Sequence, residues 1–102
     1  MSIGDIFYPD LTKEQQEKYL ALLAWHPKAC SLYEPTAFAY REIDMTYVFC
    51  EKDAAAPLVG QKFLAGAIKD SGVNFTEETL PAGHFPFLSM PKEFADIVMK
   101  YA

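Results

Sequence analysis

A single imidazole, His84, sits in a loop whose composition serves to hold it still. The run Leu80-Pro81-Ala82-Gly83-His84-Phe85-Pro86-Phe87-Leu88-Ser89 places it among glycine and prolines, with apolar side chains that can clamp the loop onto a core. Histidine changes charge near neutral pH and acts as general base and acid, provided that a partner fixes its tautomer. Asp53 is the candidate partner. It lies in the polar turn Glu51-Lys52-Asp53-Ala54-Ala55-Ala56-Pro57, directly after an apolar run, much as His84 follows the run Val73 to Leu80. A carboxylate bonded to an imidazole orients it and stabilises the imidazolium formed when it takes a proton.

Such a pair needs a scaffold. Met45-Thr46-Tyr47-Val48-Phe49-Cys50 is β-branched, aromatic and almost wholly apolar, which predicts a strand covered on both faces in a parallel sheet. Pro57 opens a predicted helix to about Ser71, with Gly72 as its stop and Leu58, Phe63, Leu64, Ala67 and Ile68 as its buried stripe. Val73 to Leu80 alternates in its first half and predicts a second strand. A last helix starts near Pro91, with Phe94, Ala95, Ile97, Val98 and Tyr101 inward. Strand, helix, strand and helix make a crossover unit with a parallel strand pair, and functional groups collect at the carboxyl ends of such strands. Asp53 and His84 both fall there.

Upstream, Ile3 to Pro9 predicts an apolar arm ending at the Pro9-Asp10 turn signal. Thr12-Lys13-Glu14-Gln15 matches a capping box, so a helix is expected from Lys13 to about Trp25, closed by His26-Pro27. Its first half is polar, and Tyr19, Leu20, Leu22, Leu23 and Trp25 make the second half the packed one. A short helical turn is expected around Pro35 to Tyr40.

The segments Thr46 to Asp53 with Pro57 and Gln61, and Gly83-His84-Phe85-Pro86-Phe87-Leu88-Ser89-Met90-Pro91, resemble the C-terminal part of α/β-hydrolase fold proteins. The branch they resemble most contains plant methyl esterases, hydroxynitrile lyases and their bacterial and fungal relatives. Phe7-Tyr8-Pro9-Asp10-Leu11, Glu14 and the helix toward Trp25 look like the end of the cap that covers the pocket in that family. The resemblance implies a partial α/β-hydrolase fold: an arm and cap-like helices over residues 1–44, then a βαβα unit over residues 45–102, in one structural domain. It implies Asp53 as the acid and His84 as the base, in the family order of nucleophile, acid, histidine. Trp25, Phe85 and Phe87 are the candidate substrate-binding residues. The chain departs from the family in lacking the G-x-S-x-G elbow and the upstream glycine-rich segment of the oxyanion hole. Ser2, Ser31, Ser71 and Ser89 are its only serines, and none is flanked by glycines at that spacing.

Composition narrows the partners. The 102 residues allow one domain at most, and 51% apolar against 23% charged residues predicts a chain that folds or associates. A net charge of -5 argues against nucleic acid, whose binding requires phosphate neutralisation. No apolar run is long enough to span a bilayer and the N-terminus lacks a basic signal pattern, so a cytoplasmic protein is expected. Cys30 and Cys50 make no disulfide framework. Neither metal nor organic cofactor is expected, since His26, Cys30, Cys50 and His84 lack paired ligand spacing.

Plainer roles exist for the same residues. His84 could be satisfied by a backbone carbonyl, and Asp53 could serve as a turn or helix-capping residue. Glu51 is an alternative acid one step too early for the family pattern. Two functions from different classes follow. One is the acid-and-histidine portion of a carboxylic-ester hydrolase, acting on a small ester-like molecule once a nucleophile-bearing segment completes it. The other is a non-catalytic remnant serving as a binding or assembly module, expected as a homo-oligomer because two strands leave a sheet edge open.

Overall fold

Met45–Cys50 forms strand β1 and Phe75–Leu80 forms β2 in the computed structural model, which describes residues 1–102. The two pair in parallel with Met45 opposite Phe75 and Cys50 opposite Leu80, and they make up the whole sheet. The chain is therefore mixed α/β. A hydroxyl pair, Thr46 and Thr76 with oxygens 2.7 Å apart, marks this register from the side chains. Beyond the strand ends the pairing continues, with Glu51 N–H donating to Leu80 O at 3.0 Å and Lys52 N–H to Ala82 O at 2.9 Å.

The strands are joined through helix Leu58–Asp70, preceded by Pro57 in extended conformation and followed by Gly72 at φ 85°, where a side chain would be strained. Its inward residues are Leu58, Gln61, Ala65 and Ile68, spaced as one helical face, with Gln61 and Ala65 buried. The expected stripe differs: Phe63, Leu64 and Ala67 face solvent, and Val59 and Phe63 are 80% and 77% exposed. Adjacent strands lie only about 5 Å apart. A sheet of two covers one stripe of a helix and leaves its second apolar face open.

The N-terminus is helical rather than an arm. Ser2 caps α1 (Ile3–Phe7) by accepting from Asp5 N–H, while the Asp5 carboxylate accepts in return from Ser2 N–H and hydroxyl. The Thr12 capping box opens α2 at Lys13 as the sequence indicates, but α2 ends at Leu20, well before Trp25. So short a helix is stable only where it packs. Its anchor is Gln16, buried against α1, whose side-chain amide donates to Tyr8 O at 2.8 Å. Every residue from Ala21 to Ala39 is exposed. Within that stretch lies a four-residue helix α3 (Ala29–Leu32), and a 3-10 turn at Ala39–Arg41 is all that forms of the turn expected near Pro35 to Tyr40.

The helix of the crossover is α4, and after β2 come α5 (Pro86–Ser89) and α6 (Pro91–Lys100). Phe94 and Ile97 of α6 are half-buried, whereas Ala95, Val98 and Tyr101 are exposed. Lys100 and Tyr101 tie the end of α6 to β2 through the Glu78 carboxylate, at 2.6 and 2.7 Å. The buried apolar core is small: Tyr8, Phe49, Cys50, Ala65, Leu80 and Ala82. β1 is therefore fully covered only at Phe49 and Cys50, not along its length. The radius of gyration of 15.3 Å exceeds the roughly 13 Å of a close-packed chain of this length. No helix is long and apolar enough to cross a membrane.

Candidate active site

The parallel pairing carries the turns after β1 and β2 side by side, and there the structure joins His84 to Asp53. His84 Nδ1 lies 2.8 Å from Asp53 Oδ2. A carboxylate only accepts, so Nδ1 carries the proton and Nε2 is left as the basic nitrogen, with no protein partner. The other oxygen, Asp53 Oδ1, accepts from the N–H groups of Ala55 and Ala56 at 2.9 and 2.8 Å. The Asp53 side chain is only 6% exposed, so these three donors offset the cost of removing its charge from water. At 33%, the imidazole remains reachable. The plainer role of Asp53 as a turn residue and its bond to His84 coexist, one on each oxygen.

Gln61 holds the Asp53 turn in shape. From the first turns of α4 its amide donates to Cys50 O and Ala56 O, and its carbonyl accepts from Cys50 N–H. The three distances run from 2.7 to 2.9 Å and span the strand end and the far side of the turn. This role was not foreseen, although a glutamine on the inward face of an apolar helix is a signal: a buried amide needs partners.

His84 is packed by rings. Phe85 meets it edge-on with centroids 4.8 Å apart, and Phe7 of α1 approaches at 5.8 Å. An open cleft of about 320 Å³ lies beside the pair, lined by Thr46, Val48 and Cys50 on one face of β1, by Asp53, Gln61 and His84, and by Phe87 and Phe94 among others. Of the candidate substrate-binding residues, Phe87 lines this cleft. Phe85 stacks against Phe7, Tyr8 and Phe87 and supports the imidazole from the side. Trp25 is fully exposed and borders a separate apolar hollow of about 480 Å³ with Ile3, Phe7, Leu20, Leu23 and Ala24, not the cleft of His84.

Burial pushes the Cys50 thiol upward, helped by the negative charges of Asp53 and Asp10. Cys50 is a packing residue and not an activated thiolate. Tyr47 is shifted upward by burial and by the same neighbourhood. No serine hydroxyl lies within hydrogen-bond reach of His84. No group of three His, Cys, Asp or Glu side chains converges as a metal site.

A buried acid and a half-exposed imidazole thus meet at adjacent parallel strand ends of a small α/β chain. The chain is similar to a protein named "Probable hydrolase R7" from a Phoma species. The two are 31% identical over 94 residues, which is 91% of this chain and 38% of that protein. The chain thus spans well under half the length of that relative. No family model and no solved structure matches it.

Proposed function

We propose that this chain is the acid-and-histidine portion of an α/β-hydrolase-fold enzyme of carboxylic-ester type. The observation that carries the proposal is the bond between His84 Nδ1 and a buried Asp53, which leaves Nε2 free. In the proposed reaction, Nε2 takes the proton of a hydroxyl nucleophile as it attacks the ester carbonyl and returns it to the leaving alkoxide. Asp53 keeps the imidazole in the tautomer that allows this. The nucleophile and the oxyanion donors come from a segment outside these 102 residues, which the open edge of β1 and the uncovered face of α4 would receive. The named hydrolase relative, much longer than the chain, supports a hydrolase and leaves the fold branch, the bond cleaved and the substrate open.

The test is turnover of p-nitrophenyl acetate by the full-length product of the reading frame that contains this chain, compared with His84→Ala. A loss of about 10³-fold or more in kcat is expected. Equal turnover by the two would sink the proposal.

A second function, a non-catalytic assembly module, is favoured by the exposed Val59, Phe63 and Leu64 together with the open sheet edge. In that case the 102 residues associate with a second copy of themselves. Sedimentation showing a folded monomer at micromolar concentration excludes it.

A further inference from the structure

We propose that Asp10 is a positioning residue for His84, and that through it the N-terminal helices set the geometry of the base. The proposal rests on the catalytic role given to His84 above, but the structural coupling can be read without turnover.

The Pro9-Asp10 corner is a turn closed by Leu11 N–H donating to Tyr8 O at 3.2 Å, with Pro9 in the position that its fixed φ suits. This turn presents the Asp10 carboxylate to a chain segment 73 residues away, where Gly83 N–H donates to Asp10 Oδ2 at 2.7 Å. Gly83 is the residue immediately before His84. It is buried, and the approach is too close for any side chain. A Cβ on Gly83 would lie 2.6 Å from Asp10 Oδ1, 2.8 Å from Pro9 Cδ and 2.9 Å from Pro9 Cγ. A side chain at this position would have to push aside the Pro9 ring and the carboxylate seated on the glycine.

Two neighbouring contacts show what the tie adds. On the strand side, the loop is held by Lys52 N–H on Ala82 O. On the ring side, Asp53 holds Nδ1. Between them, of the two amide N–H groups that link Ala82 to His84, Asp10 takes that of Gly83. An amide bonded to a charged acceptor is held about twice as firmly as one bonded to a neutral group. Asp10 is anchored in turn, because the Tyr8 carbonyl that closes its turn also accepts from buried Gln16 of α2. The route from α2 to the imidazole therefore runs through Gln16, Tyr8, Asp10 and Gly83, with Phe7 and Phe85 packed alongside.

The experiment follows the exchange of two protons with water by nitrogen-resolved NMR on the 102-residue chain: the Gly83 amide and the His84 Nδ1–H. Asp10→Ala should speed both by roughly tenfold or more. Asp10→Asn keeps a neutral acceptor and should speed both by a smaller factor, which makes it the deciding variant should Asp10→Ala lose its fold by circular dichroism. Faster exchange at Gly83 with an unchanged His84 signal would make Asp10 a local loop tie and overturn the proposal. No change at either proton overturns it as well. Turnover of p-nitrophenyl acetate by the full-length product separates the two claims. If His84→Ala leaves turnover intact, the hydrolase assignment fails while the exchange result stands. If His84→Ala abolishes turnover and Asp10→Ala lowers kcat with KM unchanged, both hold.

Discussion

Two stretches of similar apolarity take opposite states. Around the strand ends, Asp53 receives three hydrogen bonds, Gln61 makes three, and Gly83 is tied to a carboxylate far upstream. From Ala21 to Ala39 every residue is exposed, Leu22, Trp25, Leu32 and Tyr33 among them. Composition does not separate them, since both are rich in large apolar side chains. What separates them is the presence of a second surface. Met45 to Cys50 has a strand on one side and a helix over it, whereas no residue from Ala21 to Ala39 is covered enough to be buried or half-buried. Apolar side chains order a segment only when something faces them.

That contrast can be broken by mutation, beginning at the site. Asp53→Asn keeps the size of the acid but offers His84 an amide, so kcat of the full-length product should fall by about 10³- to 10⁴-fold in the ester assay. An unchanged kcat would mean that the pair is structural only. Next comes Gln61→Ala, which removes three hydrogen bonds and leaves the buried Cys50 N–H and the part-buried Ala56 carbonyl unpaired, and should cost about 2–4 kcal/mol in urea unfolding. A cost below about 1 kcal/mol would show that the Asp53 turn holds itself. The cysteines report on both regions at once. Exposed Cys30 should react with iodoacetamide at mildly alkaline pH at least roughly tenfold faster than Cys50, which is buried and whose thiol is pushed upward. Equal rates would place Cys50 in a region that opens freely.

A smaller effect is expected on acidification. Bonds from Lys100 and Tyr101 hold the half-buried Glu78 carboxyl below its ordinary value of 4.5. The folded state therefore binds this proton less readily than the unfolded chain. The stabilisation is present above about 4.5 and declines as pH falls toward the lower folded value. The urea midpoint should drop in that window, and drop less in Glu78→Gln. Smallest of all are Trp25→Ala and Phe63→Ser, each expected to shift stability by no more than about 0.5 kcal/mol in the isolated chain. A larger loss would reveal a partner surface, including one provided by a second copy.

The same distinction explains what the sequence disclosed. The bounds of β1, the Thr12 capping box, the Gly72 stop and the placement of Asp53 and His84 were legible because each rests on local chemistry or on strand-end logic. The end of α2 was not, because Leu22 to Trp25 carry the apolar pattern of a helix whose cover this chain does not supply. The outward turn of Phe63 and Leu64 has the same origin. Helix α1 carried its own signal in the Ser2 and Asp5 pair, masked by Gly4, a poor helix former that here packs against the Gln16 side chain. A Cβ on Gly4 would lie 2.7 Å from the Gln16 side-chain oxygen. Asp10 and Gln61 stood out in the sequence but their contacts did not: their partners lie on other segments, and a one-dimensional pattern does not show which turn meets which loop.

The register of the two strands has a kinetic consequence. Asp53 and His84 are separated by 31 residues and meet only after α4 has brought β2 alongside β1. Closing so long a connection is a late and entropically costly event compared with winding a helix or forming a turn. A slip of one residue in the pairing would carry the second turn about 3.3 Å along the first, farther than the whole length of the bond it must make. Partly folded chains, even those with α4 and both turns in place, therefore lack the paired imidazole. The bond between these two side chains becomes a reporter of completed folding, and its Nδ1 proton should gain protection together with the amides of the strand pair.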